Sequence, residues 1–118
     1  MYALKNKVQL IGNLGNTPEI KTIENGKKMA RFSLATSETY KNAKGEKVKE
    51  TQWHQIVAWG QVAEIANKFL EKGKEVAIEG KLVNRNYVDK TGAKKYITEV
   101  HANELLLIGN KDQNLMEA

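Results

Sequence analysis

Thr51-Gln52-Trp53-His54-Gln55-Ile56-Val57-Ala58-Trp59-Gly60 is the stretch on which the fold turns. It is rich in β-branched and aromatic residues, holds both tryptophans, and reads as a central strand. Side chains alternate across a strand, so Trp53, Gln55, Val57 and Trp59 share one face while His54, Ile56 and Ala58 share the other. One face can offer flat aromatic surface and the other can be core. Taken alone, the strand equally admits two indoles that fill a hydrophobic interior.

Upstream, Lys7 to Leu14 alternates well enough for a strand, and Gly12 and Gly15 mark a bend or a close backbone approach, as at the corner of a tightly coiled barrel. Thr17-Pro18 turns the chain, Glu19 to Ile23 is a short extended piece, and Asn25-Gly26 signals a hairpin. Met29 to Ser37 returns as a strand with Ala30, Phe32, Leu34 and Thr36 on one face. Between Glu38 and Glu50 apolar residues nearly vanish while Lys41, Lys44, Lys47 and Lys49 recur, which predicts a long, mobile, mostly basic hairpin loop with Tyr40 at its root.

Downstream, Val62, Ile65, Ala66, Phe69 and Leu70 follow the i, i+3, i+4, i+7, i+8 stripe of an amphipathic helix over about Val62 to Lys72, with Gly73 as its stop. Glu75 to Tyr87 and Lys95 to Val100, extending towards Ile108, are two further strands joined by the turn Asp89-Lys90-Thr91-Gly92. This order suits an all-β, five-stranded Greek-key barrel with one α-helix between strands 3 and 4, the oligonucleotide/oligosaccharide-binding (OB) fold. An α+β sheet with one covering helix fits the same pattern. The 118 residues suit a single domain, placed at 1–109, followed by a short flexible C-terminal end at 110–118.

The 19 Lys and Arg against 14 Asp and Glu give a net charge of +5, which favours an anionic partner. The charge is uneven: the 81–95 window holds Lys81, Arg85, Lys90, Lys94 and Lys95 against Asp89 alone. With no cysteine, thiolate zinc sites and cysteine nucleophiles are excluded. Apolar runs are too short to span a membrane, and the Met-Tyr-Ala-Leu-Lys start has no signal-peptide core, so the expected location is the cytoplasm. His54 and His101 lie on separate strands with no matched carboxylate, and only Asp89 and Asp112 are aspartates, so a Mg²⁺-dependent nuclease is hard to assemble. No catalytic residue, metal site or cofactor is expected.

Aromatics interleave with the basic segments: Tyr40 with the first hairpin, Trp53 and Trp59 on the strand after it, Tyr87 and Tyr96 flanking the second. Single strands suit such a surface, because cations follow the phosphates while exposed rings stack on unpaired bases that a duplex hides. A solvated loop and interfacial tyrosines are the plainer reading of each part.

The segments Asn6-Lys7-Val8-Gln9-Leu10-Ile11-Gly12-Asn13-Leu14-Gly15, Phe32-Ser33-Leu34-Ala35-Thr36-Ser37-Glu38, Thr51-Gln52-Trp53-His54, Gly60-Gln61-Val62-Ala63-Glu64 and Ile78-Glu79-Gly80-Lys81-Leu82 together resemble the bacterial-type single-stranded DNA-binding proteins. The similarity runs in register from about residue 5 to residue 108. The resemblance implies an OB fold assembled as a homotetramer that coats single-stranded DNA with little sequence preference in replication, recombination and repair. Trp53 matches a family stacking position directly, Trp59 falls where phenylalanine is common, and Tyr40 and Tyr87 fall where tryptophan is common. Arg85, Lys72 and the loop lysines resemble phosphate-contacting positions, and the full expected set is Lys7, Arg31, Lys41, Lys47, Lys49, Lys72, Arg85, Lys94 and Lys95. His54 matches a histidine at a subunit interface. Family members usually continue into a long Gly/Pro/Gln-rich segment with an acidic tip that recruits replication and repair proteins. Here Leu115-Met116-Glu117-Ala118 ends the sequence, so recruitment is the least transferable part of the resemblance. A primosome-type or RNA-binding relative, and a β-barrel protein-docking module, are the alternatives.

Overall fold

The structure, a computed structural model, describes residues 4–108. The expected C-terminal end at 110–118 lies outside the described residues. Strands β1 (Val8–Leu14), β2 (Glu19–Thr22), β3 (Lys28–Lys41) and β4 (Lys47–Trp59) precede helix α1 (Gly60–Phe69), and β5 (Glu75–Val88) and β6 (Lys94–Leu107) follow it. The sheet order β1-β5-β6-β4-β3 closes on itself because β3 also pairs with β1, Asn13 opposite Ala35 and Leu14 opposite Leu34. The result is a closed five-stranded barrel, with β2 appended along β3 and β4–β6 as its parallel contact. Counting barrel strands alone, α1 falls between the third and the fourth, as the sequence predicts.

Closure explains two glycines. A Cβ on Gly12 would overlap the backbone carbonyl of Ala35, where β1 crosses onto β3, and one on Gly15 would overlap the Trp53 ring and Ser33 Oγ. The close approaches inferred from the sequence are thus real, and the second lets an indole lie across the β1–β3 junction.

Alternation sorts the barrel. Ala30, Phe32 and Leu34 of β3, Ile56 and Ala58 of β4, and Val76 and Ile78 of β5 point inward and are buried. Helix α1 packs against β3, β4 and β6 and inserts Ala63 and Ala66, both fully buried. The apolar stripe is therefore rotated from the expected one: Ala63 joins it and Phe69 stays 37% exposed. The helix also ends earlier than expected. Leu70 leaves the helical region at φ −102°, ψ 143°, because the next residues are tied to the end of β1. Lys72 N–H donates to Thr17 Oγ1, and Gly73 N–H to the Leu14 carbonyl.

The larger correction concerns residues 38–50. The β3–β4 ladder is unbroken from Met29 opposite Trp59 to Lys41 opposite Lys47, so the expected long loop is a two-stranded arm with residues 42–46 as its tip. The polar composition misled because both faces of a two-stranded ribbon meet water, which removes the apolar alternation that marks a half-buried strand. A second arm, within residues 81–95, extends the β5–β6 ladder to Val88 opposite Lys94. Both tips use one device. Asn42 Oδ1 accepts the N–H groups of Lys44 and Glu46, and Asp89 Oδ1 accepts those of Thr91 and Ala93.

Candidate nucleic-acid interface

The outward pleat of β4 carries Trp53, Gln55, Val57 and Trp59, and strand register extends this surface sideways. Arg31 of β3 stands opposite Val57, Ser33 opposite Gln55, and His101 of β6 beside Val57 on the other side. Beyond them, β5 adds Lys81, Val83, Arg85 and Tyr87 in antiparallel register with His101, Glu99, Ile97 and Lys95. Trp53 is 60% exposed and Trp59 36%. Trp59 meets the His101 ring edge-on at 6.3 Å between centroids. Large apolar rings left in water on one strand face, with the core satisfied on the other, are a surface awaiting a flat partner.

Near the middle of this surface is a buried acid. Glu99 is 2% exposed although it sits on the outward pleat. Arg85 grips it side-on, Nε donating to Oε1 and Nη2 to Oε2, each at 3.0 Å. Arg31 Nη1 stands 3.6 Å from Oε2, and His101 Nε2 3.3 Å from Oε1. Val57, between Arg31 and His101 in the register, is 1% exposed despite facing outward. The hydrogen bonds from Arg85 hold the Glu99 carboxyl below the usual carboxylate range against the opposing effect of burial, and His101 and Arg31 add to this. The same contact raises the Arg85 pKa. His101 therefore does have a carboxylate partner, contrary to expectation.

Four of the expected phosphate contacts already have carboxylate partners. Besides Arg31 and Arg85 on Glu99, Lys7 Nζ lies 2.6 Å from Glu79, and Lys95 Nζ 3.9 Å from Asp89. Asp89 is held below its usual range chiefly by the Thr91 hydroxyl, which donates at 2.6 Å. Among the described residues Lys41, Lys47, Lys49, Lys72 and Lys94 form no ion pair; Lys94 Nζ instead lies 5.9 Å from the Tyr96 ring centroid. Lys41 and Lys47 face each other directly across the first arm, as do Glu38 and Glu50. Like charges directly opposed are destabilising, so the Lys41/Lys47 pair is a place where a bound anion relieves repulsion.

Tyr87 shares the outward face with Arg85. Tyr40 does not share the tryptophan face: in the unbroken ladder it lies on the pleat of Val48, opposite to that of Trp53. His54 also lies on the side away from the tryptophans, half-buried, with Nε2 2.9 Å from Thr36 Oγ1. Among the described residues no cluster of three or more His, Asp or Glu could hold a metal ion.

Sequence reasoning missed Glu99. A signal existed: a hairpin centred on Asp89 to Gly92 puts Glu99 opposite Val83 and diagonal to Arg85 on one pleat. An acid flanked by Thr98 and Val100 in a strand, with an arginine one diagonal away, is a candidate buried pair.

A sequence model of the Single-strand binding protein family matches residues 5–108. A single-stranded DNA-binding protein 1 of Chlorobaculum tepidum is 47% identical over 108 residues, covering 91% of this chain and 67% of its own. One from Xylella fastidiosa is 44% identical over 110 residues, covering 92% and 81%. Among solved structures, a Plasmodium falciparum SSB in complex with ssDNA superposes with a TM-score of 0.82 at 34% identity, covering 88% of this chain and 95% of that one. Barrel, aromatic face and sequence thus agree, and the chain belongs to the single-strand binding protein family.

Proposed function

We propose that this protein binds and coats single-stranded DNA with little sequence preference, does no chemistry on it, and protects it in replication, recombination and repair. The observation that carries the reading is the outward pleat of β4, where Trp53 and Trp59 stand exposed on a barrel like that of an SSB solved with ssDNA. Stacking on such rings is worth roughly 1–3 kcal/mol per base whatever the base. Trp53, Trp59 and Tyr87 stack on the strand as it crosses this face. Tyr40 stacks only where the strand passes over the far side of the first arm. The unpaired lysines Lys41, Lys47, Lys49, Lys72 and Lys94 neutralise phosphates.

The protein acts as a homotetramer in the cytoplasm, on nucleoid DNA. Support for assembly comes from the outer face of β1, β5 and β6, where Ile11, Ala77 and Leu106 align in register and Ile11 and Leu106 are exposed. His54, opposite the tryptophans, belongs to a subunit contact. For location, no helix among the described residues is long and apolar enough to cross a membrane. Light scattering of the wild type and of Ile11→Lys checks the assembly: a tetramer that the lysine breaks supports it, and a wild-type monomer removes it.

The deciding experiment is intrinsic tryptophan fluorescence during titration with poly-dT at low and high salt, against a matched duplex. Strong quenching by the single strand and little by the duplex is expected. A folded protein with no quenching by poly-dT would withdraw the reading.

A further inference from the structure

We propose that Glu99 is a built-in stand-in for phosphate, keeping the charges of Arg85 and Arg31 within the protein so that the DNA crosses this part of the face by its bases while its phosphates run along the outlying lysines. The inference rests on the single-stranded DNA reading and adds a path for the strand.

Three observations carry it. First, the Arg85–Glu99 contact is the side-on, two-bond grip by which arginine takes a carboxylate or a phosphate, and it is already satisfied at 3.0 Å on both bonds. Second, the carboxylate is 2% exposed, so water screens it little and its charge acts on Arg85 and Arg31, whose side chains are 43% and 37% exposed. Third, a neighbour of the cluster suits bases better than phosphates: the Trp59 ring, 36% exposed, lies edge-on to His101. Among the described residues most cations without a carboxylate partner lie away from Glu99, among them the first arm's lysines, Lys72 after α1 and Lys94 on the second arm, while Lys81, beside His101 in the register, is the near one. A strand lying on this surface therefore finds the charge of two arginines partly offset around Glu99, beside aromatic surface, and lysines with no offsetting carboxylate farther out.

Two arginines sharing one buried acid displace fewer counterions from DNA than two free ones, so the arrangement is legible in the salt dependence of binding. For a single strand, each phosphate neutralised steepens the fall of log affinity with log salt by about 0.7. In Glu99→Gln the side chain keeps its shape and one acceptor oxygen but releases both guanidinium charges. Poly-dT binding by this variant, followed by tryptophan quenching, is expected to tighten at low salt. Its slope should be steeper than wild type by about 0.7 for one phosphate and about 1.4 for two. A slope equal to or shallower than wild type would overturn the inference. The second variant, Arg31→Gln, leaves both Arg85 hydrogen bonds in place and decides the matter even if Glu99→Gln does not fold. Its slope should match wild type, whereas a loss of about 0.7 means that Arg31 neutralises a phosphate and the inference is wrong. Wild-type quenching measured alongside separates this failure from failure of the DNA-binding reading itself.

Discussion

The two arms end alike and differ in what their cations do. Each closes with a five-residue tip folded around the side chain of its first residue, Asn42 or Asp89. By sequence the second arm is the more basic, with five cations against one acid in residues 81–95, while in residues 38–50 four lysines face Glu38, Glu46 and Glu50. In three dimensions, among the described residues, the second arm keeps only Lys81, Lys90 and Lys94 of its five cations without a carboxylate partner. Arg85 and Lys95 of the second arm are committed to Glu99 and Asp89, whereas among the described residues all four lysines of the first arm lack an ion pair. Formal charge in a window of sequence is therefore a poor count of the charge a ligand can use.

The largest effect that sharpens this contrast is on stability. Glu99→Ala leaves Arg85, Arg31 and His101 without their shared acceptor and should lower the unfolding free energy by about 2–4 kcal/mol in urea titrations. Glu50→Ala on the first arm, where the lost carboxylate faced Glu38, should change it by no more than about 0.5 kcal/mol. Equal costs at the two positions would erase the distinction between the arms.

Next in size is stacking. Trp53→Ala should lose roughly 1–3 kcal/mol of poly-dT affinity, about five- to 150-fold, with Tyr87→Ala at the low end of that range. Acid should then separate the two arms without any DNA. The Glu99 carboxyl titrates below its unfolded value when folded, so its stabilisation is complete above a pH of about 4.3 and drains away as pH falls from there through the folded value. Unfolding midpoints between neutral and acid pH should fall more steeply for wild type than for Glu99→Gln.

Smaller still, Lys47→Gln should make the salt slope shallower by about 0.7, while Lys95→Gln, whose ammonium already faces Asp89, should change it less. Tyr40→Ala should be the mildest. Because this ring is on the far pleat of the first arm, its loss should be felt with long poly-dT and not with an oligonucleotide just long enough to cover Trp53.

The parts of this structure that could be read from the sequence are those where a strand is half-buried. Alternation in Met29 to Ser37 and in Thr51 to Trp59 named the inward and outward residues correctly, because one side of each strand is core and selection by burial is strong there. Both arms lie outside that regime. The first was invisible as strand because neither of its faces is buried, and the charges of the second could not be assigned owners, since partners such as Glu99 and Arg85 meet only once the β5–β6 register is known. Val57 shows the same limit: its side of the strand was inferred correctly, but its burial depends on neighbours from β3 and β6. The resemblance supplied a role for Arg85, and the expected set added Arg31 and Lys7; the carboxylate partners of all three qualify those roles.

The tips have a consequence for engineering. Each is held by its own backbone N–H groups donating to the side-chain oxygen of its first residue, with a left-handed glycine, Gly45 or Gly92, three residues on. Neither needs the barrel to keep its shape, so the five-residue pieces are interchangeable cassettes. Asp89 to Ala93 can be transplanted between Lys41 and Lys47, or a reporter group inserted at either tip, and the ladders below should keep their register. The arms thus offer two sites for labels or altered charge that leave the tryptophan face as it was.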